Sequence, residues 1–234
     1  ELPDVRAFDF LPDELAVDLM REGMRSARRF GTWSGENRVR RADGIEIPVS
    51  QVLIAHRDSD GEVVTYSTVC RDITAQRELE DQLRRAALYD DATGLPNRAL
   101  LHEQLLLQAD DPASRSAVLF ADLDHLQRVN EAFGFAGGDQ VVQTIAGRIH
   151  GLVRAGDFVA RYGGAQFVVV VPRVSDEFDA IPFANRLLAC FAEPVPVEGR
   201  DVKVTGSVGI SLATGDGDPT TALRSAEIAL HRAK

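Results

Sequence analysis

The stretch RAGDFVARYGGAQFVVVVP, residues 154–172, holds two apolar runs separated by Gly163 and Gly164. Apolar runs flanking a glycine pair predict two strands joined by a tight hairpin turn, because glycine adopts the positive φ angles that such turns need. Turns on a rigid scaffold commonly carry functional side chains. Here the next two residues, Ala165 and Gln166, offer only a methyl group and a neutral amide. The pattern predicts a hairpin and raises the question of whether its turn was ever catalytic.

Helices and strands are predicted to alternate around this hairpin. The predicted strands are 116–124, the two hairpin runs and 202–213, and the predicted helices are 98–109, 125–133, 139–153, 176–192 and a last one ending at Lys234. Alternating elements with an internal hairpin are typical of an α/β (α+β) fold, in which helices cover a sheet.

The first 90 residues follow a different pattern. A helix is predicted within residues 1–30, where Leu15, Leu19 and Met20 are apolar at helical spacing. Three strands should follow, separated by turns at 42–44 and 58–61. Residues 75–90 then predict a charged helix, whose single apolar stripe consists of Leu79, Leu83, Ala86 and Tyr89. Two heptads do not establish a coiled coil, so an amphipathic connector stays open as the alternative.

Composition excludes several classes of function. The chain has 234 residues, 44% of them hydrophobic, and a net charge of −10. It lacks the clustered lysines and arginines that nucleic acids or anionic membranes require, so we expect neither partner. No apolar stretch reaches the roughly 20 residues needed to span a bilayer. Two distant cysteines, Cys70 and Cys190, suit a reducing cytosol, and we expect both to be buried small hydrophobes.

Asp122 and Asp124 close the predicted strand 116–124. Because they are two residues apart on a strand, their side chains point to the same face. Two carboxylates at a strand end are a plausible site for a hard cation such as Mg²⁺. A solvated strand end is the alternative, and the spacing alone does not decide between them.

Five motifs then occur in a fixed order, and together they resemble the GGDEF domain of the diguanylate cyclase family. They are DDATGLPNRALL, FADLDHLQRVNEAFGFAGGDQVV, RAGDFVARYGGAQF, SVGISLA and ALHRAK, and they cover residues 91–234. Residues 29–75 resemble the later part of a PAS sensor domain. The resemblance implies three segments: a partial PAS antiparallel sheet at 1–74, a signalling linker helix at 75–90, and a cyclase-like (palm-like) GGDEF domain at 91–234.

The resemblance also implies roles for individual residues. Asp122 matches a metal-binding aspartate, and Leu123 matches a residue that supplies a carbonyl to the metal. The matches to the nucleotide-binding positions are Asn130 and Asp139 for the guanine, Lys234 for phosphate, and Gly163 and Gly164 for the signature turn. Arg154 and Asp157 match the RxxD site that binds cyclic di-GMP, where an arginine fork suits phosphate and guanine. A surface ion pair is the alternative for these two residues.

The chain departs from the family pattern at positions that bind metal and phosphate in the family. Ala165 and Gln166 replace the acidic pair, and Gln127 replaces a lysine that usually meets phosphate. Phe135 and Ala92 stand where histidine and leucine are common. Losing a metal carboxylate removes charge stabilisation from phosphoryl transfer. We therefore expect a degenerate domain with a weakened or lost Mg²⁺ site and no catalytic residues.

The expected function is a bacterial cyclic di-GMP signalling protein whose silent GGDEF domain binds GTP or cyclic di-GMP. We expect a homodimer formed through 75–90, control of a downstream EAL phosphodiesterase if one follows Lys234, and a cytoplasmic location, with membrane attachment only through upstream sequence. Two alternatives stay open: an active diguanylate cyclase that joins two GTP molecules, and a purely structural dimerisation module.

Overall fold

The computed structural model of the protein describes residues 7–109, 115–214 and 218–234. They form two compact units, Glu1–Leu83 and Arg84–Lys234. The first contains a 3₁₀ helix (Ala7–Phe10), α1 (Glu14–Phe30), β1 (Thr32–Arg40), β2 (Glu46–Arg57), β3 (Val63–Asp72) and the start of α2 (Thr74–Leu88). The first six residues of the predicted sensor segment lie outside the described residues.

The first unit is a helix packed on a three-stranded antiparallel sheet in the order β1-β2-β3. This confirms the three predicted strands and both turns. The buried face of α1 is formed by Ala16, Met20 and Ala27, which pack with Leu53 of β2. Leu15 is exposed, because it lies off the stripe that these three residues define.

The second unit carries the hairpin that the glycine pair predicts. Its elements are α3 (Arg98–Ala109), β4 (Arg115–Leu123), α4 (Leu126–Leu152), β5 (Phe158–Gly163), β6 (Gln166–Pro172), a 3₁₀ helix (Glu177–Ala180), α5 (Ile181–Ala192), β7 (Val195–Val197), β8 (Arg200–Val202), β9 (Gly206–Thr214) and α6 (Pro219–Ala233). The main sheet has the order β5-β6-β4-β9, and every neighbouring pair is antiparallel. The predicted mixed α/β fold is confirmed.

Helices cover both faces of this sheet, so its central strands are apolar on both sides. Ala117, Leu119 and Ala121 of β4 pack in the cluster that includes α4 and α5. Val118 and Phe120, the alternate residues, pack in the cluster with α3 and α6. The same alternation determines toward which face of the sheet each side chain at the end of β4 points.

The two helices predicted at 125–133 and 139–153 are confirmed as the two parts of α4, which are separated by a kink at Gly134, where φ is +70°. Two predictions need correction. The strand predicted at 202–213 is divided, because β8 pairs with β7 in a small two-stranded sheet, whereas β9 pairs with β4 in the main sheet. Cys190 is buried as expected, but Cys70 is exposed on β3.

Among the helices within the described ranges, none is long and apolar enough to cross a membrane.

Candidate active site at the end of β4

Asp122 and Gln166 face each other across neighbouring strands. They are paired in the antiparallel register of β4 and β6, and Gln166 Nε2 lies 3.2 Å from Asp122 Oδ2. An ionised carboxylate only accepts hydrogen bonds, so the amide presents its N–H group to it. The predicted turn therefore does reach the aspartate, but it brings a neutral donor.

Lys234, 112 residues further along the chain, reaches the same carboxylate. Its Nζ lies 2.8 Å from Asp122 Oδ2 and 4.0 Å from Asp124 Oδ1. The approach depends on Gly209 of β9, where a Cβ would lie 2.1 Å from the Ala226 carbonyl oxygen in α6. Only a residue without a side chain lets α6 pack this close, and that packing positions Lys234.

Asp124 is held by hydroxyl groups from the segment that leads into β9. Thr205 Oγ1 donates to its Oδ2 at 2.8 Å, and Ser207 Oγ donates to its Oδ1 at 3.3 Å. A cavity of about 340 Å³ opens here, and its lining includes Asp124, His125, Ser207 and Lys234. Asp124, Ser207 and Lys234 thus line one open pocket, and Lys234 bridges from it to Asp122.

A second cavity, of about 500 Å³, lies at the start of α4. Its lining includes Leu123, His125, Gln127 and Arg128. His125 has a φ of +59° and gives no side-chain hydrogen bond to the first turn of the helix. An uncapped helix start presents backbone N–H groups and suits an anion. The backbone N–H of Leu123 donates to the Ala165 carbonyl, which ties the turn to β4.

The two residues expected to read guanine lie on α4 on either side of its break. A Cβ built on Gly138 would lie 1.8 Å from Asn130 Oδ1, so the Asn130 amide sits directly against the backbone preceding Asp139. Asp139 is exposed, and Asn130 is half-buried. The fold thus brings Asn130 beside the segment that carries Asp139.

The RxxD pair forms its own turn at the other end of β5. Asp157 Oδ2 accepts a hydrogen bond from the backbone N–H of Arg154 at 2.9 Å. The backbone N–H of Asp157 in turn donates to the Arg154 carbonyl at 3.0 Å, which closes the turn. At about 3.3 Å per residue, the strand separates this turn from the glycine turn by roughly 20 Å.

Sequence reasoning missed an ion pair that supports the glycine turn. Arg161 Nη1 donates to Asp90 Oδ1 at 2.8 Å, and its Nε and Nη2 donate to the Gly164 carbonyl at 3.1 and 2.8 Å. Burial raises the pKa of Asp90, but hydrogen bonds from Arg161 and Thr93 outweigh it and hold the pKa below its usual value. The sequence did contain one signal for this pair: Asp90 precedes a turn-rich stretch, and its carboxylate had no partner assigned from the sequence.

The residues that depart from the family pattern do not come together at one site. Gln127 donates to Glu131 on its own helix at 2.9 Å. Phe135 is 82% exposed, directly after the Gly134 break. Ala165 packs against the core cluster on the α4 and α5 side, opposite to the Asp122 side. Of the replaced acidic pair, only Gln166 hydrogen-bonds Asp122.

Comparison with known proteins gives a consistent result. Residues 87–234 match the family model "Diguanylate cyclase, GGDEF domain". The cyclic di-GMP phosphodiesterase NbdA of Pseudomonas aeruginosa is 36% identical over 156 residues, which are 65% of this chain and 20% of NbdA. The diguanylate cyclase TpbB of the same organism is 33% identical over 205 residues, 84% of this chain and 47% of TpbB. The chain therefore spans less than half the length of either relative.

A solved structure extends the similarity to three dimensions. The coiled coil and GGDEF domain of DgcB from Caulobacter crescentus, in complex with c-di-GMP, superposes with a TM-score of 0.61 at 25% identity. The match covers 68% of this chain and 86% of the DgcB chain.

Proposed function

The chain belongs to the GGDEF family of diguanylate cyclase domains, and we propose that it is a cyclic di-GMP signalling protein whose GGDEF domain binds guanine nucleotide without forming product. One observation carries the proposal: Gln166, a neutral amide, occupies the register position opposite Asp122. In this family the turn would supply acidic groups at positions 165 and 166.

Loss of the acidic pair bears directly on phosphoryl transfer. A metal-bound carboxylate contributes several kcal/mol of charge stabilisation in such reactions. Since each 1.4 kcal/mol is about tenfold in rate, the expected deficit is at least about a thousandfold. We therefore assign a regulatory role to the domain.

The retained binding residues support nucleotide recognition. Asn130 has an amide, and Asp139 an exposed carboxylate, that could pair with the edge of a guanine. Arg154 and Asp157 keep the RxxD spacing, and the Asp157 carboxylate rigidifies the turn by accepting from the Arg154 backbone. Cyclic di-GMP at this turn is the ligand we favour, with GTP at Asn130 and Asp139 as the second.

A calorimetric titration of cyclic di-GMP tests the proposal. We expect micromolar binding that is lost in Arg154→Ala and retained in Arg200→Ala, which removes an exposed arginine of β8. A second titration uses GTP with Gly138→Ala, since the added methyl group displaces the Asn130 amide. If neither nucleotide binds at high micromolar concentration, our proposal is wrong and the alternative of a purely structural dimerisation module is favoured.

An active cyclase is the second candidate, because Lys234 lies within 4.0 Å of both Asp122 and Asp124. Formation of cyclic di-GMP from GTP that disappears in Asp122→Ala would establish it and contradict our assignment.

For the remaining segments, we propose that residues 1–74 are the later part of a PAS sensor and that 75–90 links it to the GGDEF domain. Helix α2 has no buried residue, and its Leu79 and Leu83 are 56% and 62% exposed. A stripe of this kind suits pairing with a second copy. Light scattering should show a dimer that Leu79→Glu with Leu83→Glu dissociates. Control of an EAL domain after Lys234 and a cytoplasmic location belong to the same proposal.

A further inference from the structure

The carboxylates at the end of β4 are already engaged by protein donors. Asp122 Oδ2 accepts from both Lys234 Nζ at 2.8 Å and Gln166 Nε2 at 3.2 Å. Asp124 accepts from two hydroxyls, with the same ammonium 4.0 Å from its Oδ1. These donors surround the carboxylates from which a divalent cation would take its ligands.

This arrangement does not fit the cation that the family implies. Mg²⁺ requires a near-octahedral set of oxygen ligands, and proteins supply carboxylates for it. Gln166 presents an N–H group to Asp122, and a neutral amide offers a cation no negative charge at a position where the family supplies a carboxylate. Across the described residues, no group of three or more His, Cys, Asp or Glu side chains could hold a metal ion.

We infer that this site binds its ligand without a divalent cation, because the Lys234 ammonium supplies the positive charge next to Asp122. The lysine is held in place by the fold. Its backbone N–H donates to the Leu230 carbonyl at the end of α6, and Gly209 allows α6 to lie against β9. Its side chain is 35% exposed, and it lines the 340 Å³ cavity.

The consequence for ligands rests on the proposed function. A nucleotide phosphate that enters this cavity meets the ammonium directly, as a point charge that suits phosphate. Two carboxylates and one ammonium leave the cluster with one net negative charge, so a nucleotide with few phosphate charges is repelled less than a triphosphate. The inferred ligand class is therefore a guanine nucleotide held without metal.

A titration with Mn²⁺, followed by electron paramagnetic resonance, tests the inference directly. The full chain is compared with Gln166→Glu, with Lys234→Met and with Lys203→Met, which removes an exposed lysine outside the site. We expect wild type and Lys203→Met to show no saturation in the millimolar range. Gln166→Glu should bind at least about tenfold more tightly, because a third oxygen ligand joins the aspartates, and Lys234→Met should bind more tightly because the competing charge is gone.

Wild type that binds Mn²⁺ as tightly as Gln166→Glu would overturn the inference. Equal weakness in all four proteins would overturn it as well, because the lysine and the glutamine would then not be what excludes the cation. Thermal unfolding of each variant identifies any loss of fold.

A second measurement separates this inference from the proposed function. Binding of a fluorescent GTP or GMP analogue is compared in Mg²⁺ and in EDTA, and we expect affinities within about twofold. A drop of tenfold or more in EDTA contradicts the inference and leaves nucleotide binding standing. If neither analogue binds in either buffer, nucleotide binding at this pocket is wrong, and the Mn²⁺ titration still decides whether the cation is excluded.

Discussion

The guanidinium of Arg161 joins Asp90, 71 residues earlier in the chain, to the carbonyl oxygen of Gly164 in the glycine turn. The arginine side chain is 12% exposed and the aspartate side chain 25% exposed. All three contacts are hydrogen bonds of ordinary length, and the Gly164 backbone needs a φ of +52° that this support helps to hold. The shape of the turn thus depends on Asp90, which lies two residues after the end of α2.

Arg161→Met should destabilise the second unit by about 3 kcal/mol, because it leaves the half-buried Asp90 carboxylate without its charged partner. Chemical denaturation followed by circular dichroism measures the loss. Arg200→Met, at an exposed position, is the control and should change the free energy of unfolding by less than about 0.5 kcal/mol. A loss in Arg161→Met no larger than in the control would show that the pair is not stabilising.

Stability should also depend on pH through Asp90. Its pKa is lower in the folded protein than the value of about 3.9 expected for an unfolded chain. The stabilisation is therefore fully present above pH 4 and is lost as the pH falls through the folded pKa. Urea unfolding between pH 7 and pH 2 should show this fall, and Asp90→Asn should remove part of it. An unchanged slope in the variant would exclude Asp90 as a source, leaving Asp72 and Asp218, whose pKa values are also lowered.

Gly209→Ala should cost about 1–3 kcal/mol, because its Cβ would lie 2.1 Å from a backbone oxygen of α6 that has little room to move. The variant should also displace Lys234 from Asp122. Gly147→Ala is the matched control, since it lies on the exposed side of α4 with nothing within 4 Å of its Cβ. That change should stabilise the helix by about 0.5–1 kcal/mol. Thermal unfolding measures the stability of both variants. A Gly209→Ala variant as stable as Gly147→Ala would mean that α6 moves away from β9 at no cost in free energy.

The two cysteines should react at very different rates. Cys70 is exposed on β3, whereas burial raises the pKa of Cys190 to about 11 and its Sγ donates to the Leu187 carbonyl. Since the thiolate is the nucleophile, native protein at pH 8 should be alkylated at one thiol only. Mass spectrometry after brief iodoacetamide treatment should locate the label on Cys70. Rapid labelling of folded Cys70→Ser would contradict the burial of Cys190.

Much of the fold was predictable because its signals are local. The glycine pair at 163–164 and the apolar runs beside it determine a hairpin through φ angles and strand alternation alone. The same alternation along β4 explains why Asp122 faces the α6 side. Signals of this kind place the ends of elements less well. The second of the two helices was predicted to begin at 139, but it also includes Gly137 and Gly138, which lie against Phe133 and Asn130.

The sequence by itself determined the order of the elements, the turn and the residue types at its tip, since each depends on neighbours a few positions away. Only the tertiary structure decided what those residues meet. Lys234 reaches Asp122 because α6 packs against Gly209, and Arg161 reaches Asp90 because a side chain on β5 turns toward the end of α2. Both ion pairs join residues more than 70 positions apart, so their geometry comes from helix and strand packing that no local pattern encodes.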